Sequence, residues 1–166
     1  MDAFDAGLLF IRLAVGLTMA AHGVNKLQHL DGTAGWFDSI GMRPGRLHAR
    51  AAGGGEVLAG VFLAAGLLTS FAALGFVALM TVAWWTSHRD NGFFILKEGW
   101  EYVFVLGVVA VTIATVGPGE WSVDDALGIA TDLDEFVGTA IALGGGLVAG
   151  GAFLATFFRP PRTDTG

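Results

Sequence analysis

The chain has no cysteine. That excludes disulfides, thiolate nucleophiles, Cys-ligated iron–sulfur clusters and Cys-containing zinc sites, so any reactive sulfur this protein meets is carried by another molecule. Proline is scarce, at 4 of 166 residues, and its positions (44, 118, 160 and 161) lie outside the apolar runs. The first ten residues carry no Lys or Arg, and the first cation, Arg12, lies inside an apolar run, which argues against a cleavable signal peptide. With 54% apolar residues there is no room for a separate soluble domain: residues 1–166 form a single membrane domain. The net charge of −6 argues against nucleic acid as a partner.

Five apolar stretches are present, Leu8–Leu27, Ala51–Leu68, Phe71–Ser87, Trp100–Val116 and Phe136–Phe158. Each is close to the ~20 residues a bilayer-spanning helix needs. Threaded alternately, they leave one face without any Lys or Arg. Lys26, Arg43, Arg46, Arg50, Arg89, Lys97, Arg159 and Arg162 fall together on the other. The face without cations carries Asp2, Asp5, Glu120, Asp124, Asp125, Asp132, Asp134 and Glu135. The positive-inside rule makes the basic face cytoplasmic, with the amino terminus outside and the carboxy terminus inside a prokaryotic cell membrane. The expectation is an all-α, polytopic transmembrane bundle in contact with the lipid bilayer.

Glycine, by contrast, is abundant at 26 residues, most of them inside apolar runs, where small residues let helices approach closely. Between spans one and two, Trp36, Phe37 and Ile40, closed by Gly41 and Pro44, predict a short amphipathic helix in the headgroup layer. Thr69-Ser70 allows only a tight helical hairpin between spans two and three. Trp36, Trp84, Trp85 and Trp100 suit the aromatic belt of the basic face. Residues 90–99 either dip into the interface or begin span four early. Ser122 followed by Asp124-Asp125 predicts a capped short helix, and the tail from Arg159 to Gly166 reads as unstructured. In span five, Gly138, Ala142, Gly146 and Gly150 recur at every fourth position, a ridge that suits either this chain's own bundle or a partner.

Ionisable residues inside a bilayer cost ~2.5–3.5 kcal/mol each on insertion scales and so point to function. His22 and Lys26 share a face of span one, with Asn25 beside them, and His22 lies about 7 Å from the basic end of that span. Glu56 sits at a similar depth in span two, His88 ends span three and Glu101 begins span four. These six are the candidate cluster for a polar ligand head, such as a quinone carbonyl or a hydroxyl, or for relayed protons. The bland alternative is a packing network, with Lys26 snorkelling and Glu56 locking helices together. His22 and His88 are a weak basis for a bis-histidine haem, and no metal site is expected. Arg12 lies near the acidic end, and its natural partner is Asp124 or Asp125 in a structural clamp.

These residues resemble the DoxX family of small prokaryotic membrane proteins. The resemblance rests on Arg12, His22-Gly23-Val24-Asn25-Lys26-Leu27, the run from Trp36 to Met42, Glu56-Val57-Leu58-Ala59-Gly60 and Gly66-Leu67-Leu68-Thr69. It continues in His88, Asn91-Gly92-Phe93-Phe94, Glu101, Gly117-Pro118-Gly119 and Ser122-Val123-Asp124. It implies a four-helix core over residues 8–127, to which residues 136–158 add a fifth transmembrane helix. It also implies kinship with the small DoxD-type subunit of thiosulfate:quinone oxidoreductase and with membrane oxidoreductase complexes. The expected function is a membrane subunit of an oxidoreductase system that engages quinone or its protons, with electrons supplied elsewhere because the chain shows no redox centre of its own. The alternatives are a non-catalytic scaffold, bound to a partner or to its own copies, and, less well supported, a small transporter.

Overall fold

The computed structural model describes residues 2–160; Arg162 and the rest of the expected unstructured tail beyond Pro160 lie outside them. The described residues fold into helices and connecting turns. Helix α1 spans Ala3–Gln28, α2 Leu30–Ser39, α3 Gly45–Ala65, α4 Thr69–Ala83, α5 Glu101–Val116 and α6 Val123–Ala126. The last, α7, runs over Glu135–Phe157 with a wider π-helical stretch at Ala140–Gly145. A π-helical turn, Trp84–His88, also prolongs α4, carrying that helix to Asn91. Among the described residues three helices are long and apolar enough to cross a bilayer: α1, the prolonged α4 and α7. Helix α3 has 21 residues, about 31 Å of rise, but carries two arginines, a histidine and a glutamate; α5 is apolar and has only 16 residues.

Helix starts follow local capping. The Asp2 carboxylate accepts the Phe4 N–H at 3.1 Å, which carries α1 back ahead of the apolar run. Asp38 accepts the Gly45 N–H at 2.7 Å, so α3 starts six residues before the apolar stretch that begins at Ala51. His48 is thereby drawn into α3. Ser122 Oγ accepts the Asp125 N–H at 3.1 Å, the cap its sequence predicts. Residues 90–99 do not extend α5; 90 and 91 end the prolonged α4, residues 92–99 form a looped segment with a 3₁₀ turn at Ile95–Lys97, and Phe94 and Leu96 are exposed.

The most extensive helix pair is α1 with α3. The buried stripe of α1 is Asp5, Arg12, Gly16, Met19 and Gly23, a spacing of threes, fours and sevens. Gly16 lies against Gly60 and Gly23 against Gly53, so the helices run antiparallel, with glycines seven residues apart on each. A Cβ on Gly16 would stand 2.5 Å from the Gly60 carbonyl oxygen, and one on Gly60 would stand 2.5 Å from that of Gly16. Backbone contact of this kind supplies the packing that water cannot drive within lipid.

Helix α4 is the hub, touching α3, α5 and α7. Around Phe76, fully buried, gather Met19, Leu63, Ala110, Ile113 and Ala142 in the half of the bundle nearer the acidic end. A second, smaller cluster of Ala34, Phe37, Met42 and Ala49 closes the basic end, with Phe153 and Phe158 against it. The ridge on α7 lies on this same chain: Gly138 against the Ala114 carbonyl of α5, Gly146 against Val77 and Gly150 against Thr81 of α4. The end of α7 is tied to the α2–α3 turn, where the Arg159 N–H donates to the Gly41 carbonyl at 2.8 Å and Met42 pairs with Phe158. Gly41 has φ +90°, and any Cβ there would strike the Arg159 carbonyl.

Candidate functional site

Between the two apolar clusters, at the basic end, lies a cavity of about 270 Å³. Helix α1 contributes Lys26, α3 contributes His48 and Glu56, and α4 contributes Thr86. Alanines, Leu79, Val82, Trp36 and Phe153 make up most of the remaining wall. An apolar pocket with a few convergent polar groups is the usual form of a small-molecule site.

Lys26 lies three residues after the buried Gly23, so it shares the stripe of α1 that faces α3. Its ammonium donates to Glu56 Oε1 in a salt bridge. The Glu56 side chain is almost fully buried, and that of Lys26 is 27% exposed, so the lysine reaches from the boundary to an acid held inside. Glu56 Oε2 has no hydrogen-bond partner among the described residues.

His48 is the second buried polar group. It is 2% exposed and lies edge-on to the rings of Phe153 and Phe157, with centroids 5.6 and 5.2 Å away. Its Nε2 lies 3.3 Å from the Arg43 carbonyl, an acceptor, so Nε2 carries the proton; Nδ1 has no partner among the described residues. His48 was absent from the six expected residues because the apolar run of span two begins only at Ala51. The usable signal was its position eight residues before Glu56, two turns away along the same helix.

The other expected residues are placed elsewhere. His22 is exposed on α1, one residue round from the buried stripe, with its ring 6.2 Å from that of Tyr102. The Asn25 carbonyl accepts from His29, and Asn25 does not line the cavity. His88 Nδ1 donates to the Glu98 carbonyl at 2.6 Å, and Glu101 accepts the Ile95 N–H at 3.0 Å. Both therefore pin the 88–101 segment to itself. Depth alone grouped these side chains; rotation about each helix and local backbone acceptors separate them. What comes together is Lys26, Glu56, His48 and Thr86.

At the acidic end Arg12 is fully buried, and its Nη2 donates to the Trp121 carbonyl at 2.5 Å. Gly66 makes room for the guanidinium: its φ is +65°, and a Cβ there would overlap Nη1. Asp124, the expected ion-pair partner, is engaged differently. It accepts the Leu68 and Thr69 N–H groups at 2.7 and 2.9 Å and the Thr69 hydroxyl at 2.7 Å, capping the start of α4. It attracts Arg12 through space without a direct salt bridge. The backbone groups of the tight α3–α4 hairpin compete successfully for the carboxylate.

Comparison with known proteins bears on the half of the chain that builds most of this cavity. Residues 7–89 match the DoxX family, and they include Lys26, His48, Glu56 and Thr86. A Bacillus subtilis protein named "Putative oxidoreductase CatD" is 32% identical over 120 residues, covering 69% of this chain and 82% of that one. A Haemophilus influenzae protein named "Uncharacterized protein" is 31% identical over 97 residues, covering 54% of this chain and 64% of its own length, just under two thirds of that relative. No solved structure matches. The family match over half of the chain, the Bacillus relative and the three long apolar helices lead to one conclusion: this chain is a multi-pass membrane protein of the DoxX family.

Proposed function

We propose that this protein is the membrane subunit of an oxidoreductase system and that its basic-end cavity holds the head of a quinone. The observation that carries this reading is the cavity itself, an apolar pocket inside a membrane protein with a buried Glu56 paired to Lys26 and a buried His48 on its wall. The apolar lining suits a ring, and the polar groups suit its oxygens. Reducing a quinone to its quinol takes up two electrons and two protons. Glu56, His48 and Lys26 are suited to pass the protons. The electrons come from a redox centre on a partner subunit. The name of the Bacillus relative supports an oxidoreductase setting for the family.

In this reading α1, α3, α4, α5 and α7 all cross the bilayer, four as the core and α7 as the addition, with the basic end cytoplasmic. A reporter fused behind Arg159 then reads cytoplasmic; a periplasmic signal would mean that a span is miscounted. The function is tested by purifying the protein into lipid nanodiscs and measuring isoprenoid quinone in the extract. The wild type retains about one quinone per chain, and Ala83→Phe, which fills the cavity, retains none. A wild-type preparation free of quinone overturns the proposal. The scaffold alternative loses one of its contact faces, because the α7 ridge is occupied by α4 and α5.

A further inference from the structure

We infer that the ligand of the basic-end cavity is a prenyl-tailed lipid taken directly from the bilayer, and that its chain leaves the cavity along the seam between α3 and α4. This inference rests on the proposed quinone site and adds the class of the tail and the route it takes.

A second void, a groove of about 380 Å³, lies along that seam. It shares Ala78 and Leu79 with the cavity, so the two spaces meet on α4. On α3 they meet at adjacent residues, Gly55 lining the groove and Glu56 the cavity. The lining stripes run on without a break. Phe71, Gly75, Leu79, Val82 and Thr86 follow at spacings of three and four along one face of α4, and so do His48, Ala52, Gly55, Ala59 and Phe62 along α3.

The two spaces differ in chemistry. The cavity wall carries Lys26, His48, Glu56 and Thr86, whereas every residue lining the groove is apolar or glycine. A polar head in one and a hydrocarbon chain in the other is the occupant that matches both. The groove owes its depth to small residues. A Cβ on Gly75 would stand 3.3 Å from that of Ala59, and one on Gly55 would meet only Leu79 Cδ2, at 3.9 Å. Leu58 and Phe71, 57% and 49% exposed, stand at its sides, so the groove is open to lipid along its length. From Leu79 to Phe71 is eight residues, about 12 Å of helix rise, which takes the first units of a prenyl chain.

Lipid chains are as apolar as these walls, so no hydrophobic drive holds a chain here; contact and tethering do. A tail joined to a head already seated in the cavity meets the groove as an intramolecular event, and it outcompetes the free acyl chains of the bilayer.

The test uses the full chain in nanodiscs and a benzoquinone whose third isoprene unit carries a diazirine, with the labelled peptides mapped by mass spectrometry after illumination. Label is expected on residues 55–62 and 71–79, and Ala83→Phe, which fills the cavity, should abolish it. Label that Ala83→Phe abolishes but that falls on α1, α5 or α7 overturns the seam route and leaves the quinone site standing. Seam label that survives Ala83→Phe also overturns it, because the groove then takes any chain from the bilayer. If Ala83→Phe changes no label anywhere, both readings fall. Gly55→Phe places a ring where the two voids meet, and it should lower the prenylquinone retained by the protein at least about tenfold. Its calorimetric affinity for a tail-less benzoquinone should change by less than about twofold, since Gly55 does not line the cavity. Equal loss of both ligands in a folded Gly55→Phe protein overturns the route, and the wild-type label map decides it if that variant fails to fold.

Discussion

The two ends of the bundle place their buried polar groups in different settings, loop backbone at one and a cavity wall at the other. At the acidic end, Asp5 accepts from the Glu120 N–H, Ser70 donates to the Leu133 carbonyl, Arg12 to that of Trp121, and Asp124 receives three bonds from Leu68 and Thr69. Side chains there are tied to loop backbone, and Arg12 keeps two buried nitrogens, Nε and Nη1, without a hydrogen-bond partner among the described residues. At the basic end Glu56 and His48 each make one side-chain hydrogen bond and stand on the wall of a cavity. The first pattern holds loops in place, and the second leaves capacity for something to bind. Burial and charge alone do not separate these cases: Arg12 and Asp124 are as buried as Glu56.

The largest effect that would sharpen this contrast is expected from Asp124→Ala. The change strands two backbone N–H groups at the start of α4 and removes the countercharge of a buried arginine, at a cost of about 3–5 kcal/mol. Denaturation in detergent measures it, and a loss below about 1 kcal/mol would break the view of the acidic end as a structural lock. Gly146→Leu comes next. Its Cβ would stand 2.5 Å from that of Val77, forcing α7 off α4 at a cost of about 1–3 kcal/mol. Unchanged stability would mean that the α4–α7 contact is loose enough to yield. Glu56→Gln should cost less than about 1 kcal/mol, since Lys26 can snorkel away, yet it should lower the quinone retained in nanodiscs. A stability loss equal to that of Asp124→Ala would erase the distinction between the ends. Last, His22→Ala should change neither stability beyond about 0.5 kcal/mol nor ligand retention, because the side chain is exposed and outside the cavity. Loss of retained quinone in that variant would return His22 to the site.

Local chemistry was legible in the sequence. The Ser122 cap, the short helix after span one and the break after span four all depend on residues within a few positions of each other, and each is present. The Lys26–Glu56 contact was within reach because both lie at matching depth in spans that pack together. The position of His48 two turns before Glu56 was legible, but its burial was not, since that comes from Phe153 and Phe157, more than a hundred residues away. The seven-residue glycine spacing of α1 and α3 is present in the sequence, but it is interspersed with other glycines and alanines and marks no ridge as regular as the fourfold one on α7. Rotational placement was the missing quantity: hydropathy gives depth, and it does not say which side chain turns inward.

The tie between Gly41 and Arg159 sets an order in time. The ribosome releases Gly41 more than a hundred residues before Arg159, which at about 5–20 residues per second is an interval on the order of ten seconds. Throughout that interval the side of the cavity that α7 will cover stands open to lipid. A nascent chain therefore acquires its binding chamber only when its last helix is in place, and an interrupted product carries Lys26 and Glu56 without the room they face.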